Sequence, residues 1–235
     1  MQKIAYITGT SKGIGRAIAE LLIEKNYIVY GLSRTNTIKH PKFYFIKIDL
    51  SQLKELENFA FPKFENADVL LINNAARIGN ITPLNLKKEI DIIIDYNLNI
   101  IAPTILCAKF INCYSQNKKI IINISSGAAN SSIASWSTYC ASKSALDRLT
   151  NVIAEEKHLD LTTFSFHPGV VDTDMQKKIR NSDFKLFPLF KKFNNYYTNN
   201  QLENTRNVAE KVHYVIKNYS KFTQNVLLFR DLNIE

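Results

Sequence analysis

The opening of the chain, as far as Gly15, constrains its fold more than any other feature. Lys3–Thr8 is an apolar run that breaks at Gly9, and glycine returns at Gly13 and Gly15. From Gly13 onward, Ile14, Ala17, Ile18, Leu21 and Leu22 recur at helical spacing. An apolar run closed by a glycine turn reads as a buried parallel strand feeding a helix. The motif then recurs in outline. Tyr27–Leu32, Phe43–Ile48, Asp68–Ile72, Lys119–Ile124, Leu161–Phe166 and Asn225–Phe229 read as further strands. Helical stretches are expected from about Asn97 to Ser115, from about Thr138 to Lys157, and over 205–219.

Strands alternating with helices call for a parallel sheet with helices on both faces. Right-handed crossovers make that an α/β, Rossmann-type doubly wound sheet of about seven strands. Only Thr35–Lys42 separates the second and third strands, fewer residues than a helical crossover needs, so that helix is expected to be reduced or absent. Residues 1–235 read as a single cofactor-binding domain. Within it, 172–203 is rich in Asn, Lys and aromatics and is interrupted by Pro188, and it reads as an irregular substrate lid.

Composition narrows the surroundings. Cys107, Cys113 and Cys140 form no CxxC pair and leave an odd member, as in a reducing compartment. His40, His158, His167 and His213 show no metal-ligand spacing, so no metal is expected. The net charge of +9 is spread over short pairs such as Lys87-Lys88 and Lys191-Lys192, without a basic run carrying aromatics, so no nucleic-acid partner is expected. The apolar stretches look too short and too interrupted to span a bilayer. The start, MQKIAYITG, lacks the segment order of a signal peptide, which makes the cytoplasm the expected location.

The glycine loop, Gly9-Thr10-Ser11-Lys12-Gly13-Ile14-Gly15, lies where strand meets helix. There the backbone turns tightly, and the free N–H groups of a helix start face a pyrophosphate. The second strand ends Gly31-Leu32-Ser33-Arg34, with no acid to bind a ribose hydroxyl. Arg34 and Lys12 suit a 2′-phosphate instead, which selects NADP(H).

The chemistry gathers further on. Tyr139 and Lys143, in YCASK, share a helix face. An ammonium near a phenol stabilises the phenolate, so the pair can exchange a proton with a carbonyl substrate. Ser126 follows the fifth strand, Asn73-Asn74-Ala75-Ala76 the fourth and Pro168-Gly169 the sixth, all at the sheet edge where ligands bind; Asn97 is expected to open the long helix.

TGTSKGIG, NNAA, Asn97, Ser126, YCASK and PG together resemble the short-chain dehydrogenase/reductase family over essentially the whole chain. The resemblance implies that Ser126 polarises the carbonyl, Tyr139 is the acid/base, and Lys143 binds the nicotinamide ribose while tuning Tyr139. It implies that Asn97 holds a water leading from Lys143 to solvent. Asp49 and Leu50 match adenine-contacting positions, Asn74 and Ala75 line the cofactor cleft, and Val171 and Thr173 match carboxamide contacts. Ala76 stands where the family usually has glycine. INNA, NISSGA, Trp136 and PGVVDTDMQ are similar to the sepiapterin and benzil reductase branch, implying NADPH-dependent reduction of a small ketone or vicinal diketone. The branch's pterin-anchoring aspartate falls near Leu228, which argues against a pterin substrate. Trp136, Met175 and Phe184 are the expected pocket walls, with Phe184, Phe187, Phe190 and Phe193 recurring every third residue. A homo-oligomer, dimer or tetramer, is implied through the two long helices, where Ala141 and Ala145 allow close packing. Reduction of a carrier-bound 3-oxoacyl group, or NADP sensing without turnover, are the competing readings.

Overall fold

The structure, a computed structural model, describes residues 1–233. The elements run β1 (Gln2–Thr8), α1 (Gly13–Glu24), β2 (Ile28–Ser33), β3 (Phe43–Lys47), α2 (Leu53–Asn58), β4 (Ala67–Asn73), α3 (Glu89–Tyr96), α4 (Ala102–Cys113), β5 (Lys119–Ile124), α5 (Ser137–Glu155), β6 (Leu161–His167), α6 (Asp174–Arg180), α7 (Phe190–Thr198), α8 (Thr205–Lys217) and β7 (Val226–Leu228). All seven strands pair in parallel in one sheet, ordered β3-β2-β1-β4-β5-β6-β7. No helix joins β2 to β3, as the short link requires; Ile38 of that link is buried and packs against the sheet.

Strand alternation divides the core in two. Ala5 and Ile7 of β1, Leu70 and Ile72 of β4, and Ile120 and Ile122 of β5 pack on one face, against α1 and α8. Ile4 and Tyr6, Val69 and Leu71, and Ile121 pack on the other, against Leu106 and Phe110 of α4. Side chains two apart share a face, so a strand covered on both sides must be apolar throughout. β6 departs from this along one face. Phe164 and Phe166 join the first core, while Thr163, Ser165 and His167 on the opposite face are polar and buried against α5.

Three expectations need correction. The helix before β5 begins at Glu89, not Asn97; α3 and α4 are continuous through a π-turn at Asn97–Ile101, so Asn97 lies inside the helix. Joined in this way, the 25-residue span Glu89–Cys113 is long and apolar enough to cross a membrane by length and composition. Core helices of soluble folds share those properties, and here Ala102, Leu106, Cys107 and Phe110 are buried in the second core. Finally, 172–203 is not irregular throughout, because α6 and α7 flank the break that Pro188 imposes.

Phe110 anchors the second core, edge-on to Phe61 at 5.4 Å and to Tyr114 at 5.1 Å. Phe110→Ala is expected to cost about 3–5 kcal/mol, read as a lowered urea midpoint at unchanged slope.

Candidate active site

Every loop considered above leaves the carboxyl edge of the sheet. At β1 the glycine loop is drawn tight against the end of β4. Asn74 donates its side-chain amide to the carbonyls of Thr8 and Gly9 at 2.9 and 3.3 Å. The backbone amides of Asn74 and Ala75 both donate to Thr8 Oγ1 at 2.9 Å. Gly9 has φ +75°, and a Cβ on Gly15 would lie 2.3 Å from Asn74 Nδ2, so both positions require glycine. Thr10 is buried with its hydroxyl 3.3 Å from that of Ser33, tying the loop to the end of β2. Ser33 donates to the carbonyl of Thr35, while Arg34 is exposed beside it.

A phosphate fits this loop. Lys12 caps α1 with extended backbone and no side-chain acceptor, so no side chain competes for the first-turn N–H groups behind Gly13 and Ile14. The ammonium of Lys12 instead pairs with Asp174 at 2.6 Å, across the mouth of the loop. Thr173 caps α6 and sits 3.5 Å from where a Cβ of Gly13 would be, so the start of α6 lies on the glycine loop. Val171 is buried and bridges to Glu203, Pro168 is buried, and Gly169 is exposed at φ +78°. Asp49 accepts from the amide and hydroxyl of Ser51 at 3.0 and 2.7 Å, Leu50 is buried in the second core, and Ala76 is half-buried.

Ser126, Tyr139 and Lys143 come together. Ser126 stands just beyond β5, accepting from the amide of Ala128 at 3.2 Å, with its hydroxyl beside the Tyr139 phenol. Tyr139 and Lys143 are one turn apart on α5 and both are buried, with the ammonium 5.8 Å from the centre of the phenol ring. Lys143 Nζ donates to the carbonyl of Ile124 at 2.7 Å. Burial pushes the Tyr139 phenol up to about 12. It also pushes Lys143 down to about 8, against the pull of Asp147. Burial is the largest influence on the phenol and raises it, and the opposing influence comes from Ser126. A phenol so placed keeps its proton at neutral pH, the state from which it donates.

Asn97 is not joined to this group through its side chain, which donates to the carbonyl of Ser51 at 3.1 Å. Its carbonyl accepts from Ala102 five residues on, the register shift of the π-turn. Among the expected walls, Trp136 is buried and meets Tyr139 edge-on at 5.7 Å, and Met175 packs on the same cluster. Phe184 does not contribute, being 65% exposed in the turn before Pro188. Phe187 takes its place, stacked on Trp136 at 5.5 Å, with Phe193 at 5.1 Å. The three-residue spacing of the phenylalanines misleads because no single helix carries them.

Several residues at the site escaped the sequence reading. Asp95, fully buried, binds Arg77 at 2.9 Å and Thr138 at 2.7 Å, with Lys87 at 3.6 Å. Asn99, one turn on, accepts from the amide of Arg77 at 2.9 Å and donates to its carbonyl at 2.9 Å and to Ser142 at 3.3 Å. Together they fasten the loop after β4 to the helix that carries Tyr139. Their one signal in the sequence was a four-residue spacing of polar groups within an apolar helix.

The family model for short chain dehydrogenases matches residues 3–183. The chain belongs to that family of oxidoreductases. It is 38% identical over 210 residues to a benzil reductase ((S)-benzoin forming) of Bacillus subtilis, covering 82% of this chain and 85% of that one. It is 27% identical over 201 residues to the sepiapterin reductase of Xenopus tropicalis, covering 73% and 75%. A solved short chain dehydrogenase/reductase from Saccharomyces cerevisiae superposes with TM-score 0.84 at 23% identity, covering 98% and 97%, and shares the fold. The sequence thus lies in the branch of benzil and sepiapterin reductases, and the family's nicotinamide cofactor matches the glycine loop.

Asp95→Ala would take from Arg77 and Lys87 their shared buried carboxylate, leaving Arg77 with Asp91 at 3.3 Å. A loss of about 3–5 kcal/mol is expected in urea unfolding, the cost of breaking one side of a buried ionic group.

Proposed function

We propose that this chain reduces a ketone or vicinal diketone of the benzil type to an alcohol with NADPH, using Tyr139 as proton donor. The observation that carries the reading is the gathering of Ser126, buried Tyr139 and buried Lys143 at the carboxyl edge of the sheet. Bound NADPH supplies the hydride to the carbonyl carbon. The chain's own residues do the rest. Ser126 donates to the carbonyl oxygen and holds it against Tyr139. Tyr139 passes its phenolic proton to that oxygen as negative charge develops there. Lys143, charged, stabilises the phenolate left behind and offers its remaining N–H donors to ribose hydroxyls.

NADPH is favoured over NADH because β2 ends in Ser33-Arg34 without a carboxylate, and Arg34 is exposed and available to a 2′-phosphate. Lys12 joins it by giving up Asp174, an exposed pair of little intrinsic worth. An apolar substrate is favoured by the wall of Trp136, Phe187 and Met175, and by Leu228, which pairs with His167 at the end of β7 where a pterin would need an acid. We further propose a homo-oligomer that covers exposed Ile90, Ile93 and Ile101 of the long helix and Val152 of α5. Three free cysteines suit the cytoplasm.

A screen of benzil, sepiapterin and simple ketones, followed by NADPH absorbance, tests the substrate; consumption with none of them overturns it. Tyr139→Phe is expected to lower kcat/KM by about 10²–10⁴ while NADPH still binds. Arg34→Ala should weaken NADPH by about tenfold or more and leave NADH unchanged, measured by nicotinamide fluorescence. With Lys143 needed as the ammonium and Tyr139 protonated throughout the neutral range, kcat/KM should be flat below neutrality and fall as pH rises through about 8.

A further inference from the structure

The polar face of β6 has no part in the chemistry described so far. A strand buried on both sides has reason to be apolar, yet Thr163, Ser165 and His167 alternate along one face, all buried. Their hydrogen bonds run to α5. Thr163 donates to the carbonyl of Thr150 at 3.1 Å, and Ser165 donates to Asp147 Oδ1 at 2.5 Å. His167 Nε2 meets Asp147 Oδ2 at 2.8 Å, and His167 Nδ1 has no partner among the described residues, so this imidazole's polar tie is to Asp147. Two groups thus converge on one carboxylate inside the protein.

Asp147 is one turn beyond Lys143 on α5, as Lys143 is one turn beyond Tyr139. The three side chains lie in a row on the helix face turned to the sheet. We infer that Asp147, clamped by His167 and Ser165 one helical turn from Lys143, is the fixed counter-charge set beside that buried ammonium. It acts through Lys143 and is a positioning residue. The inference rests on the role given to Lys143 above.

The charges around Lys143 can be named element by element. On its own helix stand Tyr139, protonated, and Asp147. From β5 comes only the carbonyl of Ile124, with the Ser125 hydroxyl beside it donating to the Lys143 carbonyl at 3.4 Å. From β6 come Ser165 and His167, both turned to Asp147. Asp147 is the one carboxylate acting on Lys143 among the described residues. Burial works against its own ionisation, but the hydrogen bonds to His167 and Ser165 prevail and hold it below the usual carboxylate range. It therefore stays negative wherever the enzyme works. Burial alone drives a lysine toward neutrality, and a fixed anion nearby is what resists it.

The direct test is the titration of Lys143 by NMR in protein labelled with ¹³C at lysine Cε, without cofactor or substrate, its resonance assigned by its loss in Lys143→Arg. In the wild-type protein the midpoint is expected near 8. In Asp147→Asn it should fall by about one unit or more, and in Asp147→Glu it should stay near the wild-type value. An unchanged midpoint in Asp147→Asn overturns the inference. If that variant does not fold, the triple variant Asp147→Leu, Ser165→Ala, His167→Phe removes the carboxylate together with both groups that clamp it; the same fall is expected, and no fall overturns the inference. Where turnover is measurable, the alkaline limb of kcat/KM should move down with the midpoint, whereas an equal loss at every pH would mark a merely structural residue. The NMR titration needs no substrate, so a protein whose Lys143 behaves as stated but that reduces no diketone would leave this inference standing and remove the substrate reading.

Discussion

A parallel strand cannot return through a tight turn, so each crossover must leave the sheet at one edge and re-enter at the other. Every functional loop of this protein follows from that constraint. The turns after β1, β2, β4, β5 and β6 all emerge at the carboxyl edge, and they carry the glycine loop, Ser33-Arg34, Asn74, Ser126 and Pro168-Gly169 respectively. Tyr139 and Lys143 reach the same edge because α5, which starts at Ser137, lies along β6 with its polar row facing inward. The site is thus a by-product of connectivity, supported by two apolar cores that hold the sheet rigid from either side.

Desolvation governs what those side chains become. In water a phenol and an ammonium would titrate close together near 10, with little to choose between donor and acceptor. Inside the protein the same burial moves them apart, the phenol up to about 12 and the ammonium down to about 8. One group is thereby committed to holding a proton, while the other stands near the point of losing its charge. Polar contacts that would be weak on a surface become decisive here, which is why the row continues to Asp147 and why β6 is polar along the face that meets it.

Residues 172–203 show how local pattern and tertiary packing differ. Phe184, Phe187 and Phe193 are indistinguishable by spacing, yet Phe184 is exposed while Phe187 and Phe193 pack on Trp136. Phe184 and Phe187 lie in the link between α6 and α7 while Phe193 lies on α7, so the path of that link, not the period, selects which rings meet. Asn97 makes the same point within a helix. Its neighbours Asp95 and Asn99 hold the buried contacts around Arg77, and the π-turn turns the Asn97 amide toward Ser51.

By itself the sequence determined the alternation of strands and helices, the helix-free link from β2 to β3, and the gathering of the glycine loop, Ser126, Tyr139 and Lys143 at one edge. These are matters of period, chain length and handedness, and they are local or follow from connectivity. Only the tertiary structure decided the protonation bias of Tyr139 and Lys143, the partnership of Asp147 with His167 and Ser165, and the engagement of Lys12 with Asp174. Those depend on which groups lose their water and what replaces it. Burial and through-space distance set that outcome, and neither is written in the spacing of residues along the chain.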